Sequence, residues 1–358
     1  KFMKKLVFLL LLIPMTVFGQ DIASLKFVDA ENLMLINKGF SNTEMYYSRL
    51  PETLKGNVRK AVWDLGLNSA GLAVRFSTNS KCIGVKWTLL NNFHMSHMAG
   101  TGIRGLDLYT LDGGQWKFIG VAKPTKKESQ NIFIRNMDGA THEYLAYLPL
   151  YDGVEKLEIG VDSTAEISLP KTSKLVANSG VKPIVFYGTS ITQGGCASRP
   201  GMAYPAIIGR RLGCETINLG FSGNARMDFV MSQTIAQIDA SKYVVDCMPN
   251  CTAQILRDSA YTFLKNLAET RSQVPIYMVE NVSFPSFLRD QKSASDVQEK
   301  YQVWRETYLK LRKEGYKNIR YIKAKGLIGD DYEGTVDAVH LTDLGFLRLT
   351  ENLLKKIK

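Results

Sequence analysis

The chain has 358 residues, 45% of them hydrophobic and 22% charged, which suffices to bury two cores of ordinary size and excludes a disordered or fibrous chain. Its formal charge of +11 is dispersed in pairs such as Lys126-Lys127 and Lys355-Lys356, never in a basic block interleaved with aromatics, so a nucleic-acid partner is not indicated. Five cysteines (Cys82, Cys196, Cys214, Cys247, Cys251) contain no CxxC pair, and neither a metal nor a redox cofactor is implied.

Lys4 and Lys5 precede an apolar run over 6–13, and Val17-Phe18-Gly19 stands before a cut ahead of Gln20. This is the pattern of a secretory signal peptide over residues 1–19. The run is too short for a bilayer span and no stop-transfer pattern follows it, so the expectation is an exported protein, periplasmic or extracellular, with no stable membrane insertion after cleavage. Losing those residues removes three lysines and no acid, and the formal charge falls from +11 to +8.

From about 20 to 172 the chain reads as short strands. Segments 72–78, 83–88, 106–110 and 156–161 alternate with period two, and turn signals such as Asp112-Gly113-Gly114 and Asp138-Gly139 lie between them. Hardly any helical period is visible, which predicts an all-β sandwich. Residues 173–182 are small and polar and run into Pro183, as a linker does. The rhythm then changes. Strand candidates at 184–187, 215–219, 243–247, 276–279 and 319–322 alternate with helical stretches at 203–212, 228–239, 252–270, 292–314 and 342–357. Strict alternation over 183–358 predicts an α/β domain: βαβ crossovers, a parallel sheet covered by helices on both faces, and a site at the carboxyl edge of its strands.

The first of those edges carries Gly188-Thr189-Ser190-Ile191-Thr192. A phosphate cradle and a nucleophile loop share this composition, so the other strand ends must discriminate. Of four histidines (His94, His97, His142, His340), His340 alone falls in the α/β half, three residues after Asp337 and just before the last helix. A serine nucleophile needs a base titrating near neutrality and a carboxylate to orient it. Asp337 and His340 supply both; the bland reading is that they cap the final helix, where Thr342 is already a good N-cap. An oxyanion also needs donors. The second strand ends in Asn218-Leu219-Gly220-Phe221-Ser222-Gly223-Asn224, whose glycines permit close backbone approach, and the third in Asp246-Cys247-Met248-Pro249-Asn250, where Asn250 can aim an amide.

Ser190, Gly223, Asn250 and His340 with Asp337 resemble the four blocks of the SGNH hydrolases, the GDSL-like lipase/acylhydrolase family. The resemblance implies an esterase with a flavodoxin-like, three-layer α/β/α fold in which Ser190 is the nucleophile and His340 the base, with Asp337 its orienting acid. It makes the Ser190 and Gly223 N–H groups and the Asn250 side chain the oxyanion hole. The first block departs from Gly-Asp-Ser-Leu, reading Gly-Thr-Ser-Ile, and the third reads Met-Pro-Asn-Cys where Gly-x-Asn-Asp is usual. Gly105-Leu106-Asp107-Leu108-Tyr109 resembles the GxDLY module that precedes a subset of these enzymes.

Other residues carry weaker expectations. His94 and His97 lie on one loop with no carboxylate or cysteine beside them in sequence; a polar loop is the plain reading, and a loop leaning over the substrate pocket the functional one. Tyr46, Tyr47, Trp63, Trp87 and Trp116 include candidates for sugar stacking but fit a sandwich core better. Cys196 and Cys251 follow Ser190 and Asn250 on one sheet edge, so a bridge or two free thiols are both open. Asp246 and Glu280 compete with Asp337 as the acid. The expected reaction is hydrolysis of a short, acetyl-type ester on a carbohydrate, without cofactor, with oligomeric state open. A lipase or lysophospholipase is the alternative within the class. A phosphate-ligand-binding domain or a non-catalytic glycan-binding protein is the alternative outside it.

Overall fold

In the first half, side chains of alternating polarity pair into two antiparallel sheets. The computed structural model describes residues 21–171 and 181–357; the expected signal peptide and residues 173–180 of the expected linker lie outside the described residues. The strands are β1 (Leu25–Asp29), β2 (Met34–Ile36), β3 (Ala73–Thr78), β4 (Ile83–Leu89), β5 (Leu106–Asp112), β6 (Gln115–Ala122), β7 (Glu128–Ile134), β8 (His142–Tyr147), β9 (Val154–Asp162) and β10 (Ile167–Ser168). One sheet has the order β1-β9-β4-β7 and the other β10-β3-β8-β5-β6, with β2 also paired to β3. Val74, Phe76, Val85, Trp87, Leu106, Leu108, Tyr144, Ala146, Leu157 and Ile159 form the buried layer between the sheets, each pair two residues apart on its strand. Their neighbours Ala73, Tyr109, Leu145 and Tyr147 point the other way and bury against Ile36 and Ala206. The second sheet is therefore covered on both faces, and β3 is buried at every position.

Among the described residues, two α-helices interrupt this half, α1 (Lys60–Gly66) and α2 (Gly100–Ile103). Neither is long enough for a period of 3.6 to show in sequence, which is why the strand-only reading misses them. Phe40, Leu50, Leu54, Val62 and Trp63, from the segment around α1, pack with the second half of the chain.

That second half alternates as its periodicity predicts: β11 (Ile184–Gly188), α3 (Ser190–Gln193), α4 (Tyr204–Leu212), β12 (Thr216–Gly220), α5 (Phe229–Ile235), β13 (Lys242–Asp246), α6 (Ala253–Thr270), β14 (Ile276–Val279), α7 (Gln291–Lys313), β15 (Ile319–Ile322) and α8 (Asp343–Leu354). The five strands are parallel in the order β12-β11-β13-β14-β15. On β11, Val185 and Tyr187 face the layer of α5, α6 and α7, while Ile184 and Phe186 face α3, α4 and α8. The chain leaves β11 with neighbours on opposite sides, β12 and β13, and such a switch point opens a crevice at the strand ends. No described helix is long and apolar enough to cross a membrane.

Candidate active site

Ser190 stands at that switch point. β11 ends at Gly188, and the Thr189 hydroxyl accepts from the Ile191 N–H (3.2 Å), so the chain turns at once into α3 with Ser190 as its first residue. The turn is short because β12 packs backbone to backbone against it: a Cβ at Gly220 would stand 2.2 Å from the Gln193 nitrogen. Ser190 is 6% exposed.

The loop before α8 completes a hydrogen-bonded chain. His340 Nε2 lies 2.9 Å from Ser190 Oγ, and His340 Nδ1 lies 2.7 Å from Asp337 Oδ2. An ionised carboxylate only accepts, so Nδ1 carries the ring proton and Nε2 accepts from the serine hydroxyl. Asp337 is held from its own turn, where Oδ1 accepts from the His340 N–H (2.7 Å) and the Val339 N–H (3.1 Å), with Ala338 in the left-handed region at φ +66. Partial burial raises the Asp337 pKa, but bonds from the His340 ring, the His340 N–H and the Val339 N–H outweigh it and hold the carboxyl below its ordinary value. Capping falls elsewhere: the Thr342 hydroxyl accepts from the Gly345 N–H at the start of α8 (3.1 Å).

Asn250 and Gly223 sit on adjacent loops that are tied together. Asn250 Oδ1 accepts from the Ala225 N–H (3.3 Å), which turns its amide nitrogen away from that loop's backbone. Among the described residues, the Asn250 amide nitrogen and the Gly223 and Ser190 N–H groups donate to no protein acceptor. Gly223 is at φ +69, which favours glycine. Despite the altered third block, a 3-10 turn over Met248–Asn250 presents the side chain.

Residues that sequence reading passes over fix these loops. Gln193 is fully buried; its carbonyl oxygen accepts from the Ser222 N–H (3.0 Å) and its amide donates to the Leu150 carbonyl (2.9 Å). Arg49, from the segment before α1, donates through Nη1 to the Asn218 and Gly220 carbonyls (3.0 and 2.9 Å), through Nε to Asn68 and through Nη2 to Leu65. Burial pulls its pKa down to about 9, and the cation persists at neutral pH. Arg59 holds the far side of the same loop, paired with Asp228 (Nε to Oδ1 3.0 Å, Nη2 to Oδ2 2.8 Å) and donating to Asn224 Oδ1 (2.8 Å). Asp107 of the GxDLY stretch is wholly buried and accepts from Arg199 (2.8 Å) and the Gly201 N–H (3.0 Å), pinning β5 to the segment before α4.

The loop bearing His94 and His97 lies against the second half. A cavity of about 400 Å³ beside the Ser222–Asn224 turn is lined in part by Asn91, Phe93, Met95 and Tyr151. His94 is exposed and lines none of it; His97 Nε2 comes within 3.9 Å of Asp337 Oδ2, and its ring within 5.5 Å of the His340 ring. The absence of a carboxylate or cysteine near His97 is thus true of sequence only, because Asp337 and Cys196 arrive beside it in space. The remaining candidates have other partners. Asp246 accepts from Tyr204 (3.1 Å), and Glu280 from Tyr321 (2.6 Å) and the Ala324 N–H (2.7 Å), so neither orients His340. All five cysteines are free and buried, which removes the Cys196–Cys251 bridge. Tyr47, Trp63 and Trp87 are core residues and no sugar platform.

Ser190, His340 and Asp337 are thus linked by hydrogen bonds at the mouth of a flavodoxin-like sheet, an arrangement of the kind found in serine hydrolases. A family model described as GDSL-like lipase/acylhydrolase matches residues 181–358, and one described as the N-terminus of SGNH-hydrolase-type esterases, GxDLY, matches 25–167. The structure is similar to one described as a GDSL-like lipase from Bacteroides ovatus, 36% identical, over 93% of this chain and 97% of that one, with a TM-score of 0.88. Two more distant structures share the fold. One is a salicylyl-acyltransferase from a tetracycline biosynthetic pathway (15% identity, 93% and 97% coverage, TM-score 0.72). The other is an acetyl xylan esterase from the rumen bacterium Butyrivibrio proteoclasticus (10% identity, 92% and 97% coverage, TM-score 0.56). No curated protein matches the sequence. The chain belongs to the GDSL-like lipase/acylhydrolase family, with a GxDLY module ahead of the hydrolase domain, and is a carboxylic ester hydrolase.

Proposed function

We propose that the protein is an exported serine esterase that removes short acyl groups, acetyl above all, from a carbohydrate. The observation that carries the mechanism is the continuous chain Ser190 Oγ, His340 Nε2, His340 Nδ1, Asp337 Oδ2, with spacings of 2.9 and 2.7 Å at its two hydrogen bonds. Ser190 attacks the ester carbonyl as His340 takes its proton; His340 then gives that proton to the leaving alcohol, and water resolves the acyl-enzyme by the same route. Asp337 stabilises the imidazolium that forms between the two transfers. The free donors at Ser190, Gly223 and Asn250 suit the developing oxyanion.

The substrate side of the reading is supported by kinship of fold with an acetyl xylan esterase, and by the sandwich module and leader-like first nineteen residues, which suit extracellular glycan processing. Hydrolysis of p-nitrophenyl acetate by wild type and Ser190→Ala tests the mechanism. The variant is expected to lose roughly a thousandfold or more in kcat. Equal turnover in the two proteins overturns the mechanism, and release of no acetate from acetylated xylan oligosaccharides overturns the substrate class.

A further inference from the structure

The turn after α3 brings a thiol to the His340–Asp337 pair. Cys196 is buried and occupies the left-handed region at φ +70, a conformation that costs a non-glycine residue energy and that glycine would adopt freely. Its thiol donates to the His97 carbonyl (3.3 Å), so the sandwich loop and the nucleophile loop meet at this point. One donor atom from each of His97, Cys196, Asp337 and His340 lies within 4.8 Å of every other.

Two imidazoles, one thiol and one carboxylate form a borderline-soft donor set that suits Zn²⁺ and does not suit Mg²⁺ or Ca²⁺. Ligands about 2.0–2.3 Å from a tetrahedral zinc stand about 3.3–3.8 Å apart, so the cluster closes by about 1 Å at its widest pair. His97, whose side chain is 37% exposed and whose Nε2 stands 3.9 Å from Asp337 Oδ2, has room to move toward the other donors. We propose that His97, Cys196, Asp337 and His340 form a zinc site that switches the esterase off. The inference rests on His340 being the base of the proposed mechanism.

The consequences follow from proton and charge balance. Zinc takes the Nδ1 lone pair of His340 and an oxygen of Asp337, so the ring proton moves to Nε2 and the imidazole now donates toward Ser190 where it must accept. The Cys196 thiol loses its proton to solvent, and thiolate plus carboxylate neutralise the metal's two charges. One proton leaves the protein for each zinc bound. In the metal-free protein, burial and then the nearby Asp337 charge push the Cys196 pKa up to about 12, so the thiol is inert until a metal displaces its proton.

The test uses the full chain and metal salts alone. Micromolar Zn²⁺ is expected to lower p-nitrophenyl acetate turnover about tenfold or more, reversibly on adding a chelator, with no effect from Mg²⁺ or Ca²⁺. Cys196→Gly, which suits the left-handed backbone, and Cys196→Ala are expected to keep metal-free turnover and to need roughly tenfold more zinc for half inhibition. Co²⁺ added to Ser190→Ala should give a thiolate-to-metal charge-transfer band that is absent when Cys196→Gly is combined with it. Unchanged zinc sensitivity in both Cys196 variants, or a cobalt spectrum without the thiolate band, overturns the site. Because the cobalt spectrum needs no turnover, it separates failure of this site from failure of the serine mechanism.

Discussion

The two halves of the molecule divide the labour unequally. The parallel-sheet half carries Ser190, Asp337 and His340 on its own strand-end loops, whereas the first half contributes none of that chain of hydrogen bonds. Yet the loop bearing Gly223 is gripped from the first half on both sides, by Arg49 at Gly220 and by Arg59 at Asn224. In this molecule the groups proposed to react come from one half, and much of the rigidity of the loop proposed to hold the oxyanion comes from the other.

That division can be broken from either side. Asp337→Asn removes the charge that stabilises the imidazolium and leaves the packing intact. Turnover of a short ester should fall about 10²–10⁴-fold while the urea midpoint stays near wild type. A large loss of stability would show that the half-exposed turn also holds the fold. Arg49→Met strikes from the other side. It removes the guanidinium from three buried hydrogen bonds, to Asn68, Asn218 and Gly220, and from a half-buried one to Leu65, and should cost about 3–5 kcal/mol in urea unfolding, with turnover falling as the Gly220–Asn224 loop loosens. Loss of stability with full activity would mean that the first half merely covers the second.

A smaller effect sharpens the contrast within the parallel-sheet half. Burial raises the Asp246 pKa to about 6, against weaker opposing bonds from Tyr204 and Thr192. Since the folded value exceeds the unfolded one, the native state holds a proton between about pH 4 and 6 that the unfolded chain has released. This contribution is complete below the unfolded pKa and is lost as pH rises to about 6. Relative to Asp246→Asn, wild type should therefore lose up to about 3 kcal/mol between pH 4 and 7, measured by urea unfolding at each pH. Parallel stability curves for the two proteins would refute the assignment. Smallest of all is Lys60→Ala, which breaks an exposed i,i+4 pair with Asp64 (2.7 Å) within α1; a change beyond about 0.5 kcal/mol would mean that α1 docks more tightly than its exposed face implies.

Where a signal was local, it was legible. The five parallel strands and the five longer helices of the second half fall close to their sequence-derived ranges, because periods of 2 and 3.6 are imposed by each element's own burial. Given that alternation, Ser190, Gly223, Asn250 and the Asp337–His340 turn had to gather at one edge of the sheet. Helix α1 was missed because seven residues are too few for a period to emerge.

The sequence by itself therefore determined the two-part architecture, the order of elements and the set of residues at the sheet mouth. Tertiary structure alone decided that Arg49 reaches Gly220, that Asp107 pins Arg199 and Gly201, and that His97 and Cys196 meet beside Asp337. Periodicity is written within a few residues of chain, whereas a buried charge or a gathered set of donors acquires its partners only when distant segments dock and exclude water.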